Sequence, residues 1–114
     1  MLTDEYRYRI LKLVETNPEV SQRQIASELG ISLGKANFCL KALIDVGLVK
    51  VSNFRSSKNK LGYMYLLTPK GIEAKAAVTL RFLKQKSMEH EVLLKQIDEL
   101  SKEAAALVAG KSVM

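Results

Sequence analysis

Apolar residues recur at three- and four-residue intervals through the first half of the chain, broken by short polar punctuation, and this pattern predicts helices. Tyr6, Ile10, Leu13 and Val14 form one inward face, with Leu2 ahead of it and Arg7, Lys12 and Glu15 outside it. Thr3 or Asp4 can cap this helix, and Asn17-Pro18 ends it, because the residue before a proline avoids helical geometry. A second helix opens at Ser21, with Gln24 three residues on, the pattern of a reciprocal cap; Ile25, Ala26 and Leu29 are its buried set. Gly30 supplies a tight turn, Ile31 fills the corner, and Ser32 caps a third helix that ends at Gly47, a left-handed stop. At roughly 100° per residue, Leu33, Ala36, Cys39, Leu40, Leu43 and Ile44 share an arc expected to face the core. Gly34, Lys35, Asn37, Phe38 and Lys41 fall on or beside the opposite side.

Beyond Gly47 the period changes. Leu48 to Phe54, with β-branched Val49 and Val51, reads as a strand, and Gly62 to Leu67 reads as its return, with Tyr63, Tyr65 and Leu67 alternating with Met64 and Leu66. The connection from Arg55 to Lys60 is polar and basic. Thr68-Pro69 starts a last helix, with threonine as cap and proline in the first turn, where its missing N–H costs nothing. Nothing interrupts this helix through about Val108, roughly 60 Å of length. Ile72, Ala76, Leu80 and Leu83 are expected to pack its first part against the domain. Farther along, Leu83, Lys86, His90, Leu93, Ile97, Leu100, Ala104 and Leu107 alternate at threes and fours as a heptad seam, widened by Leu94 and Val108. Lys86 and His90 weaken the seam, so pairing should tighten after Leu93, and the alanine-rich end is expected to fray from Ala104. A small domain cannot bury so long a stripe, and a second copy of the chain is expected to cover it. The fold class is therefore mainly α with a small β-hairpin: a winged helix-turn-helix domain over residues 1–68 and a long C-terminal dimerisation helix over 69–114.

Charge sharpens this picture. The net formal charge is +6, but residues 32–62 and 63–88 carry +5 and +4, whereas 1–31 and 89–114 carry −1 and −2. The positive excess begins at the third helix and covers the hairpin, which suits a polyanionic partner. In a helix-turn-helix reading the third helix enters the DNA major groove. Asn37 would offer its amide to an adenine edge, Lys35 would reach guanine or a phosphate, and Phe38 would touch a thymine methyl or pack on the second helix. Lys41 would lie against the backbone, and Gln22, Arg23 and Ser32, near helix starts where free amides favour anions, would hold phosphates. Arg55, Lys58, Asn59 and Lys60 would bring a basic wing (residues 54–61) to the minor groove or its phosphates. The alternative is a winged helix used as a protein–protein adaptor without DNA binding.

Other chemistry is sparse. With one histidine and one cysteine there is no zinc set and no Cys–His pair, and no glycine-rich phosphate loop is present, so no enzyme activity, metal or cofactor is expected. Cys39 is expected to be a buried small hydrophobe, and His90 a polar seam position that sets register. Asp4 and Glu5 near the start and the lack of an apolar run approaching ~18 residues point away from a signal peptide or membrane span, so a cytoplasmic location is expected.

Three stretches, MLTDEYRYRILKLVE, SQRQIASELGISLGKANFCLKALIDVGLV and NFRSSKNKLGYMYLLTPKGIEAKA, resemble the MarR-type winged-helix regulators, and more narrowly their short exopolysaccharide-associated branch. LKALIDVGLV and LTPKG are common to many winged helices; KNKLGYMYLLTPKG is more specific. The resemblance covers about residues 1–88 and implies a homodimeric bacterial transcription factor with one recognition helix per subunit in the major groove. Typical MarR proteins place an extra helix before the first core helix, whereas here Met1 stands almost at helix 1. Dimerisation is therefore expected to shift to the C-terminal helix (Leu83, His90, Leu93, Leu94, Ile97, Leu100, Ala104, Leu107). The cleft where MarR relatives bind small phenolic effectors would lose a wall, so a small-molecule effector is not expected.

Overall fold

The computed structural model describes residues 2–55 and 61–113. Its elements run α1 (Asp4–Thr16), α2 (Gln22–Leu29), α3 (Leu33–Asp45), β1 (Val49–Arg55), β2 (Leu61–Leu67) and α4 (Pro69–Val113). They divide into two compact units, one ending at Phe82 and one beginning at Leu83. Among the described residues no helix is long and apolar enough to cross a membrane.

Short-range chemistry sets the helix starts of the first unit. The Tyr6 N–H donates to Thr3 Oγ1 (3.1 Å), and the Lys35 N–H donates to Ser32 Oγ (3.1 Å). At α2 the cap is reciprocal: the Gln24 N–H donates to Ser21 Oγ (3.1 Å) and the Ser21 N–H to Gln24 Oε1 (2.8 Å). Each satisfies amides that the first helical turn leaves without partners. Gly30 turns the chain between α2 and α3 with φ +67°, a conformation that a Cβ disfavours.

The core of this unit is continuous. Ile10, Leu11 and Val14 of α1 meet Ile25, Ala26 and Leu29 of α2 and Ala36, Cys39, Leu40 and Leu43 of α3, closed by Val49, Tyr65 and Val78. Cys39 is fully buried among them, as its place in the apolar arc implies. Leu11, which the three-and-four pattern left out, is also fully buried, because α1 packs against α2, α3 and β2 and needs a wider apolar arc.

The hairpin is antiparallel, with Val49 opposite Leu67 and Val51 opposite Tyr65. It is tied to the helices through main-chain contacts that side-chain patterns do not encode. The Tyr65 N–H donates to the Pro18 carbonyl between α1 and α2 (2.9 Å), and the Thr68 N–H donates to the Leu48 carbonyl (3.1 Å). Thr68 then caps α4 by accepting from the Gly71 N–H (3.0 Å) while its hydroxyl donates to the Gly47 carbonyl.

Two expectations are corrected here. Ile72 and Leu80 do not pack α4 against the domain; both are more than half exposed. Instead Ala74 and fully buried Val78 face the core. The reason is Gly71: a Cβ there would lie 2.0 Å from the Leu48 carbonyl oxygen, so the helix approaches β1 backbone to backbone and its inward line is set one step away from Ile72. Lys75 reaches Glu15 (2.9 Å), Arg81 grips Asp4 through two nitrogens (3.1 and 3.2 Å), and Phe82 stacks on Tyr8 (5.3 Å between ring centroids). The hydrogen bond from Arg81, with its charge and that of Arg7, holds the Asp4 carboxyl below its ordinary value of 3.8. The second correction is Leu33, which is 41% exposed rather than buried: it lines an open hollow with Tyr63 and Tyr65 instead of entering the core.

The second unit is the remainder of α4. Lys86–Glu89 (3.2 Å) and Asp98–Lys102 (3.1 Å) pair along its polar sides at helical spacing, contacts worth a few tenths of a kcal/mol each. Its large apolar side chains, Leu83, Met88, Val92, Leu93, Leu94, Ile97, Leu100, Leu107 and Val108, are all about half exposed or more.

Candidate nucleic-acid interface

On α3, burial of Ala36, Cys39, Leu40 and Leu43 fixes which side turns outward. Asn37, Phe38 and Lys41 stand on that side, together with Gly34. Phe38 is 60% exposed, although it is a large aromatic in a helix whose other face is fully packed. The helix therefore presents an amide, an aromatic ring and an ammonium group over one outward turn and a half, with no carboxylate until Asp45. That combination can hydrogen-bond base edges, meet a thymine methyl and neutralise a phosphate.

Lys35 lies apart from this trio. Its Nζ sits 4.8 Å from the centroid of the Tyr6 ring and donates to the Tyr6 hydroxyl at 3.5 Å, so its charge is held on the α1 side of α3. A cation over an exposed aromatic ring is held by about 0.5–1 kcal/mol, little enough for a stronger anionic partner to draw it away.

The residues proposed for phosphates cluster on the other flank. Gln22 is half-buried and its Nε2 donates to the Tyr65 hydroxyl (3.5 Å), Arg23 is exposed, and Ser32 is exposed with its oxygen already engaged in the cap. Lys41 is exposed one turn beyond Asn37. Two hollows shape this flank. One of about 470 Å³ is lined by Ser21, Gln22, Arg23 and Leu33 against Tyr63 and Tyr65. The other, of about 340 Å³, is lined by Gln22, Asn37, Lys41 and Val51 against the same two tyrosines. Tyr63 borders both, and sequence reasoning assigned it only to a strand face. Its signal was available: an aromatic two residues from buried Tyr65, on the same side of the strand and nearer the hairpin tip.

Of the expected wing residues, Lys58, Asn59 and Lys60 lie outside the described residues, as does the side chain of Arg55, whose backbone closes β1 opposite Leu61. The seam residues Leu83, Leu93, Leu94, Ile97, Leu100 and Leu107 are exposed on the second unit, as are His90 and Ala104. Among the described residues no three His, Cys, Asp or Glu side chains gather as a metal site would require.

Residues 3–50 match the winged helix-turn-helix DNA-binding family. Staphylococcus aureus MarR, solved in complex with salicylate and kanamycin, is similar at 28% identity over 72% of this chain, with a TM-score of 0.54. This chain covers 53% of that protein's length. A PadR-like transcriptional regulator from Bacillus cereus shares the fold at 18% identity, 76% coverage of this chain and 89% of that one, with a TM-score of 0.68. A variant of Lactococcus lactis ZitR shares it at 24% identity, 95% and 74% coverage, and a TM-score of 0.64. No curated protein sequence matches the chain. The first unit has the winged helix-turn-helix fold, with three helices followed by a two-stranded hairpin, which these structures share.

Proposed function

We propose that this protein is a sequence-specific double-stranded DNA-binding transcriptional regulator of the MarR type, working as a homodimer. The observation that carries the reading is the outward face of α3, where Asn37, exposed Phe38 and Lys41 stand together on a helix whose opposite face is fully buried. The recognition helix (residues 32–47) enters the major groove, with Asn37 and Phe38 on base edges. Lys35 leaves Tyr6 for guanine or a phosphate, and Gln22, Arg23, Ser32 and Lys41 hold the backbone. The basic wing, residues 54–61, meets the minor groove or its phosphates through Arg55, Lys58, Asn59 and Lys60. Pairing runs through the exposed seam from Leu83 to Leu107, where two copies cover each other's apolar stripe. The exopolysaccharide-associated resemblance makes such genes the first candidates for the regulated set.

The adaptor alternative draws on the apolar groups beside this face, Leu33, Phe38, Val51 and Tyr63. Fluorescence anisotropy with a random-sequence duplex separates the two readings. A regulator binds at low salt and loses affinity steeply as salt rises, because bound cations release condensed counterions. An adaptor shows no charge-dependent affinity, and that result would overturn the proposal.

A further inference from the structure

Tyr63 is 65% exposed, while Tyr65, two residues on and on the same side of β2, is 7% exposed and fastened to Gln22 through its hydroxyl. The fold gives Tyr65 its reason, since it closes the core beside Val49. It gives none for the larger part of the Tyr63 ring, which lines both hollows beside Gln22 and Tyr65. The donors bordering those hollows are the Gln22 amide, the Arg23 guanidinium, the Asn37 amide and the Lys41 ammonium. Glu19 is the one carboxylate among their lining residues. A flank bordered by two cations and two amides, with a neutral and exposed phenol lining both hollows, suits a chain of phosphodiesters.

We infer that Tyr63 is a DNA-backbone contact, its hydroxyl donating to a phosphate oxygen of the strand that runs between α3 and the hairpin. The inference rests on the DNA-binding reading and deepens it. Tyr63 acts here as a positioning residue: it fixes how deeply α3 sits in the groove and carries no sequence information of its own. It also differs in kind from the lysines around it, because a neutral donor displaces no counterion.

The test is Tyr63→Phe in the full chain, measured by anisotropy against a random-sequence duplex and a selected one across a salt series, with Lys41→Ala alongside. The variant keeps the ring, and its unfolding transition should match wild type. Loss of one hydrogen bond to a charged group in each subunit, two per dimer, predicts about a hundredfold weaker binding to both duplexes alike. The slope of log affinity against log salt stays unchanged for Tyr63→Phe, whereas Lys41→Ala, which removes one lysine from each subunit, flattens it by about 1.8. Wild-type affinity in Tyr63→Phe overturns the Tyr63 assignment and leaves the DNA-binding reading standing. A loss confined to one duplex overturns it as well, by making Tyr63 a base reader. If the wild-type chain itself shows no salt-dependent binding, the broader reading fails and this inference with it.

Discussion

Leucines in the two units have opposite fates. Leu43 of α3 is fully buried, and Leu100 of α4 is 62% exposed, although each belongs to an apolar stripe of helical spacing. In the first unit, α1, α2, α3, the hairpin and the start of α4 converge on one core within the same chain. In the second there is one helix, and a single helix has nothing of its own to bury against. The same pattern in sequence thus means core in one place and an exposed apolar stripe in the other. A helix with a wide apolar stripe is marginal alone in water and gains its stability by covering that stripe.

The comparison can be broken directly by making one substitution in both places. Leu43→Ala should lower unfolding free energy by about 2–5 kcal/mol at every protein concentration, as measured by chemical denaturation. Gly71→Ala should cost about 3 kcal/mol in the same measurement, because its new methyl collides with the Leu48 carbonyl and the main chain must move. Leu100→Ala should leave dilute unfolding of the first unit untouched yet weaken self-association by about a hundredfold in sedimentation, since both copies lose a covered side chain. Unaltered self-association would remove Leu100 from the pairing seam.

The smallest effect concerns the start of α1. Asp4 is held ionised by Arg81, so its contribution is present above its unfolded value of 3.8 and is lost as pH falls through the lower folded value. Arg81→Gln should therefore melt slightly below wild type at pH 7, with the gap closing as pH drops well under 3.8. A gap that persists in acid would assign the effect to packing of the arginine stem rather than to the ion pair.

Most of the first unit was legible because its signals are local. Thr3, Ser21, Ser32 and Thr68 each cap a helix within three residues of themselves, and Gly30 and Gly47 both carry positive φ. The outward placement of Asn37, Phe38 and Lys41 was legible for the same reason: one arc of α3 is apolar and the rest is not. What escaped depended on neighbours brought in from afar. Angle alone put Leu33 in the core arc, but whether an arc is covered depends on what stands opposite, and there it is an open hollow. The inward line of α4 is set by a backbone contact between Gly71 and Leu48, invisible to any count of apolar spacing. Tyr63 and Tyr65 are chemically identical and share a strand face, and only the end of the core between them separates a structural residue from an exposed one.

The central claim is that the outward turn of α3 reads base edges. Duplexes selected from a random pool by the wild-type chain, then varied one base pair at a time, test it most directly when binding is compared with Asn37→Ala. The account predicts an enriched site, with discrimination at one position per half-site relaxed by about 1–3 kcal/mol in the variant while preferences elsewhere remain. A pool without enrichment, or an unchanged preference at every position in Asn37→Ala, would contradict it.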